Sequence, residues 1–162
     1  MKQMEPKDIT VQGMQFHVFP FPAFKAANIS GELAALIAPI LGGLAPMLGG
    51  GTENPLDIDA EKAVPAITGA LNTLSGDKVE EILKKLLVTG QNITVDIDGK
   101  TVYLTESLAN ELFCMEAQGL YMLAFEVVRC NFGGFFAKLG SLSGSAAGKV
   151  KQLTANAAGT GV

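Results

Sequence analysis

One histidine and two cysteines are the only imidazole and thiol groups in this chain of 162 residues. With His17 as the single histidine, no second imidazole exists to make a four-ligand structural zinc set with Cys114 and Cys130. A Ser-His-Asp triad would have to start from His17, and His17 falls at a polar, outward-facing position of a predicted strand. Acidic residues are missing after Glu126, and charge of either sign is missing between Glu32 and Glu53. A basic surplus is missing too. The net charge of −4 argues against nucleic acid, which calls for a basic face to displace counterions. From Lys138 onward there are three lysines and no acid, which leaves −7 on the part before it. The opening residues, MKQMEPKDIT, mix both charge signs and contain no apolar stretch, so no secretory signal is expected. The sequons at Asn28 and Asn92 are then incidental. Two cysteines fit a reducing compartment better than a disulfide framework. If Cys114 and Cys130 share one helix, their separation is about 24 Å, far beyond the roughly 7 Å that a disulfide spans. Free, buried thiols are expected.

Apolar residues make up 48% of the chain and charged ones 17%, a composition able to build a core. At roughly 100–200 residues per domain one domain is expected, burying about 68–70% of the unfolded surface. Two segments carry the period-2 alternation of strands around a two-residue turn. In DITVQGMQFHVF, the residues Ile9, Val11, Met14, Phe16 and Val18 flank Gln12-Gly13. In NITVDIDGKTVYL, the residues Ile93, Val95, Ile97, Val102 and Leu104 flank Asp98-Gly99. Glycine at the second turn position suits the positive φ of tight hairpin turns. Hairpins at 9–12/14–18 and 93–97/101–104 are predicted as the only strands. The two share an apolar-x-Gly-x-x-apolar-x-apolar pattern, which one hairpin rule explains without a duplication. Each must pair with another strand or pack on helices, because a lone hairpin is marginal in water.

Elsewhere the pattern is helical. A helix with interruptions is expected from Ala23 to Leu48, and another in DIDAEKAVPAITGALNTL (57–74), capped by Asp57 or Asp59. SGDKVEEILKKLLVTG gives the clearest helix. Val79, Ile82, Leu83, Leu86 and Leu87 form one stripe, with Ser75 as a cap and Gly90 as a stop. After Thr105 the chain is apolar nearly all round from Leu112 to Val128, as in a long helix buried at the centre of a bundle. Gly133-Gly134 should break or bend it. From Gly140 the sequence is Gly, Ser, Ala and Thr with few large apolar residues, too little burial to offset ordering entropy. The expected fold class is therefore α+β and mainly α-helical: a helical bundle with two short β-hairpins and a flexible C-terminal tail. A single globular domain is assigned to 1–139 and the tail to 140–162.

The uncharged window, LAALIAPILGGLAPMLGGG at 33–51, has the length of a bilayer span. Its large residues, Leu33, Leu36, Ile37, Ile40, Leu41, Leu44, Met47 and Leu48, share one side of a helical wheel, with small residues opposite. Pro39 and Pro46 each remove a backbone hydrogen bond, and no Lys, Arg, Trp or Tyr anchors flank the segment. A kinked helix of a self-associating protein fits better than a membrane span. Several site-like motifs fail on inspection. GSAAGKV at Gly144 has three residues between its glycines where a phosphate loop has four, and Val150 stands where Ser or Thr would hold magnesium. DIDAE (57–61) and DIDG (96–99) lack the spacing of a calcium loop and read as a helix cap and a hairpin turn. Paired carboxylates would need Glu111 and Glu116 buried together. No catalytic, cofactor-binding or metal-binding residue is assigned. One feature remains: NFGGFFAKLGSL (131–142) places Phe132, Phe135, Phe136 and Leu139 around a Gly-Gly hinge. It is either a core plug or an apolar partner surface exposed when the hinge opens.

A hairpin entering PFPAFKAANISGELAALIAPIL, followed later by a helix ending in NFGGFFAKLGSL, resembles the tail assembly chaperones of long-tailed bacteriophages and prophages. The resemblance runs from about Ile9 to Leu142. It implies a non-enzymatic protein of the host cytoplasm, absent from the mature virion. It also implies two partners, the tape-measure protein and the tail-tube (major tail) protein, whose polymerisation such chaperones assist. Phe132, Phe135, Phe136 and Leu139 are the partner-binding candidates from the residues themselves. The six methionines suit an adaptable apolar surface. The alternatives are a structural or adaptor component of a phage tail or injection machine, and a small membrane-active protein using residues 33–51.

Overall fold

The computed structural model describes residues 5–44 and 58–134, with side chains placed for 5–35 and 58–134. Both hairpins form. β1 (Lys7–Val11) and β2 (Met14–Val18) join through Gln12 and Gly13, at φ 50° and 77°, while β3 (Ile93–Ile97) and β4 (Lys100–Tyr103) join through Asp98 and Gly99, at φ 50° and 75°. Positive φ at both central residues is the type I′ geometry, whose twist matches that of the flanking strands. The helices are α1 (Ala23–Leu44), α2 (Ala60–Leu71), α3 (Gly76–Leu87), α4 (Glu106–Leu112) and α5, helical from 117 through 134.

The two hairpins pair with each other. β2 lies antiparallel to β3 in the register Phe16↔Val95 and Val18↔Ile93, giving one four-stranded sheet in the order β1-β2-β3-β4. Alternation then sorts the side chains. Ile9, Val11, Phe16, Val18, Ile93 and Val95 lie on the helix-covered face and are buried. Asp8, Thr10, His17 and Asp96 lie on the other. Phe16, fully buried, stacks on Phe113 with centroids 6.0 Å apart and planes at 15°. Asp59 caps α2 by accepting from the Glu61 amide, and Thr105 caps α4 by accepting from the Leu108 amide. Ser75 occupies the capping position of α3 with extended backbone, but its hydroxyl makes no capping bond.

The expected long helix after Thr105 is instead two helices. The chain turns at 113–115, where Met115 takes φ 66° and is wholly exposed. That turn lets Phe113 drop onto Phe16 while leaving Cys114 in solvent, so Cys114 is exposed and not buried, and it shares no helix with Cys130. Both thiols are free. The all-round apolar character does belong to α5, where residues 122–128 are all buried. Glu126 is the one acid among them; Nη2 of Arg129 sits 2.6 Å from its carboxylate, and Nη1 of Arg129 donates to the Ile58 carbonyl at 3.4 Å. Gly133 and Gly134 remain helical. Asn131 explains why. Its side chain accepts from the Phe21 amide at 2.7 Å and donates to the Val127 carbonyl at 2.9 Å, and Phe132 meets Phe21 edge to face. Such anchoring outweighs the roughly 1 kcal/mol that each glycine costs a helix. The tail from 140 and the distal part of the 33–51 window lie outside the described residues.

Phe16→Ala should lower unfolding free energy by about 3–5 kcal/mol, with the urea midpoint falling and the slope unchanged. Phe24, 92% exposed, should change stability by no more than about 0.5 kcal/mol when cut to Ala.

Candidate functional site

His17 sits on the open face of the sheet, where the register sets it opposite Asp8 on β1 and diagonal to Asp96 on β3. Its Nδ1 lies 2.6 Å from Asp8 Oδ1 and its Nε2 lies 3.1 Å from Asp96 Oδ2. Thr101 on β4 donates to the other Asp96 oxygen at 2.6 Å. The network therefore crosses all four strands. Hydrogen bonding to Asp8 raises the His17 pKa above its ordinary value against the pull of desolvation, and Asp96 adds to the rise. Asp96 is held below the usual carboxylate range by Thr101 and then His17. With both ring nitrogens engaged by carboxylates, the imidazole is a cross-strand tie. Among the described residues no three His, Cys, Asp or Glu side chains converge as a metal site. Asp59 and Asp98 serve as cap and turn residues, and Glu111 and Glu116 are both exposed.

Lys25, at the start of α1, is a second tie. Its amine donates to the Thr89 carbonyl at 2.9 Å and to Asn92 Oδ1 at 3.2 Å, and lies 4.4 Å above the Phe21 ring. Burial pushes its pKa down. Gly90 makes room for it: at φ 135°, a Cβ there would stand 2.5 Å from the Lys25 amine. Asn92, itself buried, also accepts the Phe19 amide through its backbone carbonyl.

Among the described residues an open trench of about 630 Å³ lies between α2, α3, α4 and α5. Its floor and walls include Leu71, Leu74, Val79, Leu83, Leu87, Ala109, Leu120 and Tyr121. Glu80, Lys84 and Glu106 stand along its rim, with the Lys84 amine 2.6 Å from Glu80 and 2.8 Å from Glu106. Both contacts raise the Lys84 pKa. Beneath Leu71, Leu83 and Tyr121 lies a second space of about 60 Å³, lined further by Leu33, Ile67, Ile82, Leu86, Ala124, Phe125 and Val128. The sequence placed Val79 and Leu83 in one stripe with Ile82, Leu86 and Leu87. The structure divides that stripe: the last three are buried and the first two stay half-buried in the trench. Tyr121 and Leu120 were not singled out from the sequence, and Leu74 only as part of a helical stripe with Ile67 and Leu71. Their signal was only a stripe wider than one packing partner can cover. Phe132 is 4% exposed in the core; Phe135, Phe136 and Leu139 lie outside the described residues.

The trench is an open, mostly apolar feature bordered by charged side chains. The family model described as "Phage tail assembly chaperone protein, TAC" matches residues 12–144, most of the chain. This chain belongs to that family of phage tail assembly chaperones. No curated protein and no solved structure matches it. Among the described residues no helix is long and apolar enough to cross a membrane.

The His17 tie makes stability depend on pH. The imidazolium contribution is fully present below about pH 6.5 and is lost as pH rises through the raised folded pKa. His17→Asn should therefore destabilise the protein most near pH 6 and progressively less toward about pH 9, read by urea unfolding across that range. A difference independent of pH would show that the pairing with Asp8 and Asp96 contributes nothing.

Proposed function

We propose that this chain is a non-enzymatic assembly chaperone of the host cytoplasm, left out of the finished virion. It holds the tape-measure protein and helps tail-tube subunits polymerise around it. Membership of the tail assembly chaperone family over residues 12–144 carries this reading. Two features support it. The trench offers adaptable apolar surface bordered by charge, and the net charge of −4 disfavours nucleic acid as the partner. Phe135, Phe136 and Leu139, which lie outside the described residues, remain the client-binding candidates on sequence grounds, as apolar residues that follow the core-anchored Phe132. Self-association through such apolar surface is compatible with the same role.

Co-expression with the tape-measure protein is the test. The wild-type chain should keep that client soluble, and purified virions should lack the chaperone. Phe135→Ala with Phe136→Ala should leave the domain folded while most of the client moves to the insoluble fraction. If both rings are core instead, each truncation should cost about 3–5 kcal/mol of stability, and the double variant would unfold.

A further inference from the structure

We propose that the trench between α2, α3, α4 and α5 is the docking site for an amphipathic helix of the client, apolar on one face and basic at its flanks. This rests on the client-holding reading above and adds to it a place and a chemistry. The shape comes first. Val79 and Leu83, both half-buried, lie at i and i+4 along α3, a step of about 6 Å or one helical turn, with the buried Leu87 next in the row. Leu71, Leu74, Leu120 and Tyr121 also line the trench. An apolar groove between helices can take the i, i+3, i+4, i+7 face of another helix.

The anchor comes next. The inner space of about 60 Å³ shares Leu71, Leu83 and Tyr121 with the trench, so Tyr121 stands at the junction of the two. Apolar lining keeps such a space dry, and the tip of one large apolar side chain entering past Tyr121 would fill it. Desolvated pockets of this kind carry most of the binding energy at interfaces. Charge then selects the occupant. The rim bears Glu80 and Glu106 against Lys84 alone, one negative charge in surplus on a chain of net −4. A helix with lysine or arginine flanking its apolar face meets that surplus, and an acidic helix is repelled by it.

The probe is a synthetic helix with leucine at i, i+3, i+4 and i+7 and lysine elsewhere, compared with the same helix carrying glutamate for lysine. Asn72 and Asn110 line the trench and are exposed, so Asn72→Lys with Asn110→Lys reverses the rim charge without entering the core. The leucine-lysine helix should bind the full chain, and the leucine-glutamate helix should bind roughly tenfold more weakly. The double lysine variant, with unchanged circular dichroism and unfolding, should lose affinity for the leucine-lysine helix by roughly tenfold or more. Amide shifts on binding should follow Val79, Leu83 and Tyr121. Equal binding of both helices, unchanged binding by the variant, or shifts confined to another face would overturn the assignment. So would self-association of the wild type that the variant abolishes, which would put a second copy in the trench. Co-expression separates the two levels. If the wild type fails to keep the tape-measure protein soluble, the chaperone reading falls; if wild type and variant succeed equally, only the trench does.

Discussion

Neither hairpin of this chain can keep its apolar face dry alone, since an isolated pair of strands is marginal in water. Pairing of β2 with β3 removes that difficulty for both at once. It aligns Phe16 with Val95 and Val18 with Ile93, and all four are buried at or below 1% exposure. The joined sheet then presents one continuous apolar face for the helices. Phe113 stacks on Phe16 from the turn between α4 and α5, and that contact sets where α5 begins. The buried run of α5 completes the core. Remove the β2–β3 pairing and the register, the aromatic stack and the seat of α5 lose their common support.

Around this core, polar side chains fix the loops and helix ends more than they stabilise the whole. Lys25 ties the start of α1 to the turn before β3, and Asn131 ties the entry to α1 to the far part of α5. Lys85 joins α3 to Glu32 of α1, and Lys84 joins it to Glu106 of α4. Exposed ion pairs contribute little free energy, but these two hold α3 along both flanks. The consequence is spatial. With its edges tied to α1 and α4, α3 keeps Val79 and Leu83 turned to the trench and half open to water. The acids that hold Lys84 also give the trench its charge.

Much of the fold was legible in the sequence because its signals are local. The type I′ turns at Gln12-Gly13 and Asp98-Gly99 follow from glycine at the one place where positive φ is cheap. The stripe on α3 and the cap at Asp59 follow from helical spacing and short-range hydrogen bonding. The break at Met115 was not legible. Nothing local demands a left-handed turn at that methionine; the turn exists because Phe113 is needed against Phe16, a contact between residues far apart in the chain. Gly133 and Gly134 misled for the same reason in reverse. Their propensity argues for a break, and the anchoring of Asn131 and Phe132 on Phe21 overrides it.

The sequence by itself determined the strands, their turns, the extent of most helices, the acidic balance and the resemblance to tail assembly chaperones. Each depends on periodicity, composition or backbone preference over a few residues. Only the tertiary structure decided that the hairpins pair with each other, that His17 is shared by Asp8 and Asp96, and that α3 leaves part of its apolar stripe uncovered. Those outcomes depend on which surfaces meet. Hydrophobic periodicity records that a face needs a partner, but the attraction is non-directional, so it does not record which partner, or how much of the face that partner will cover.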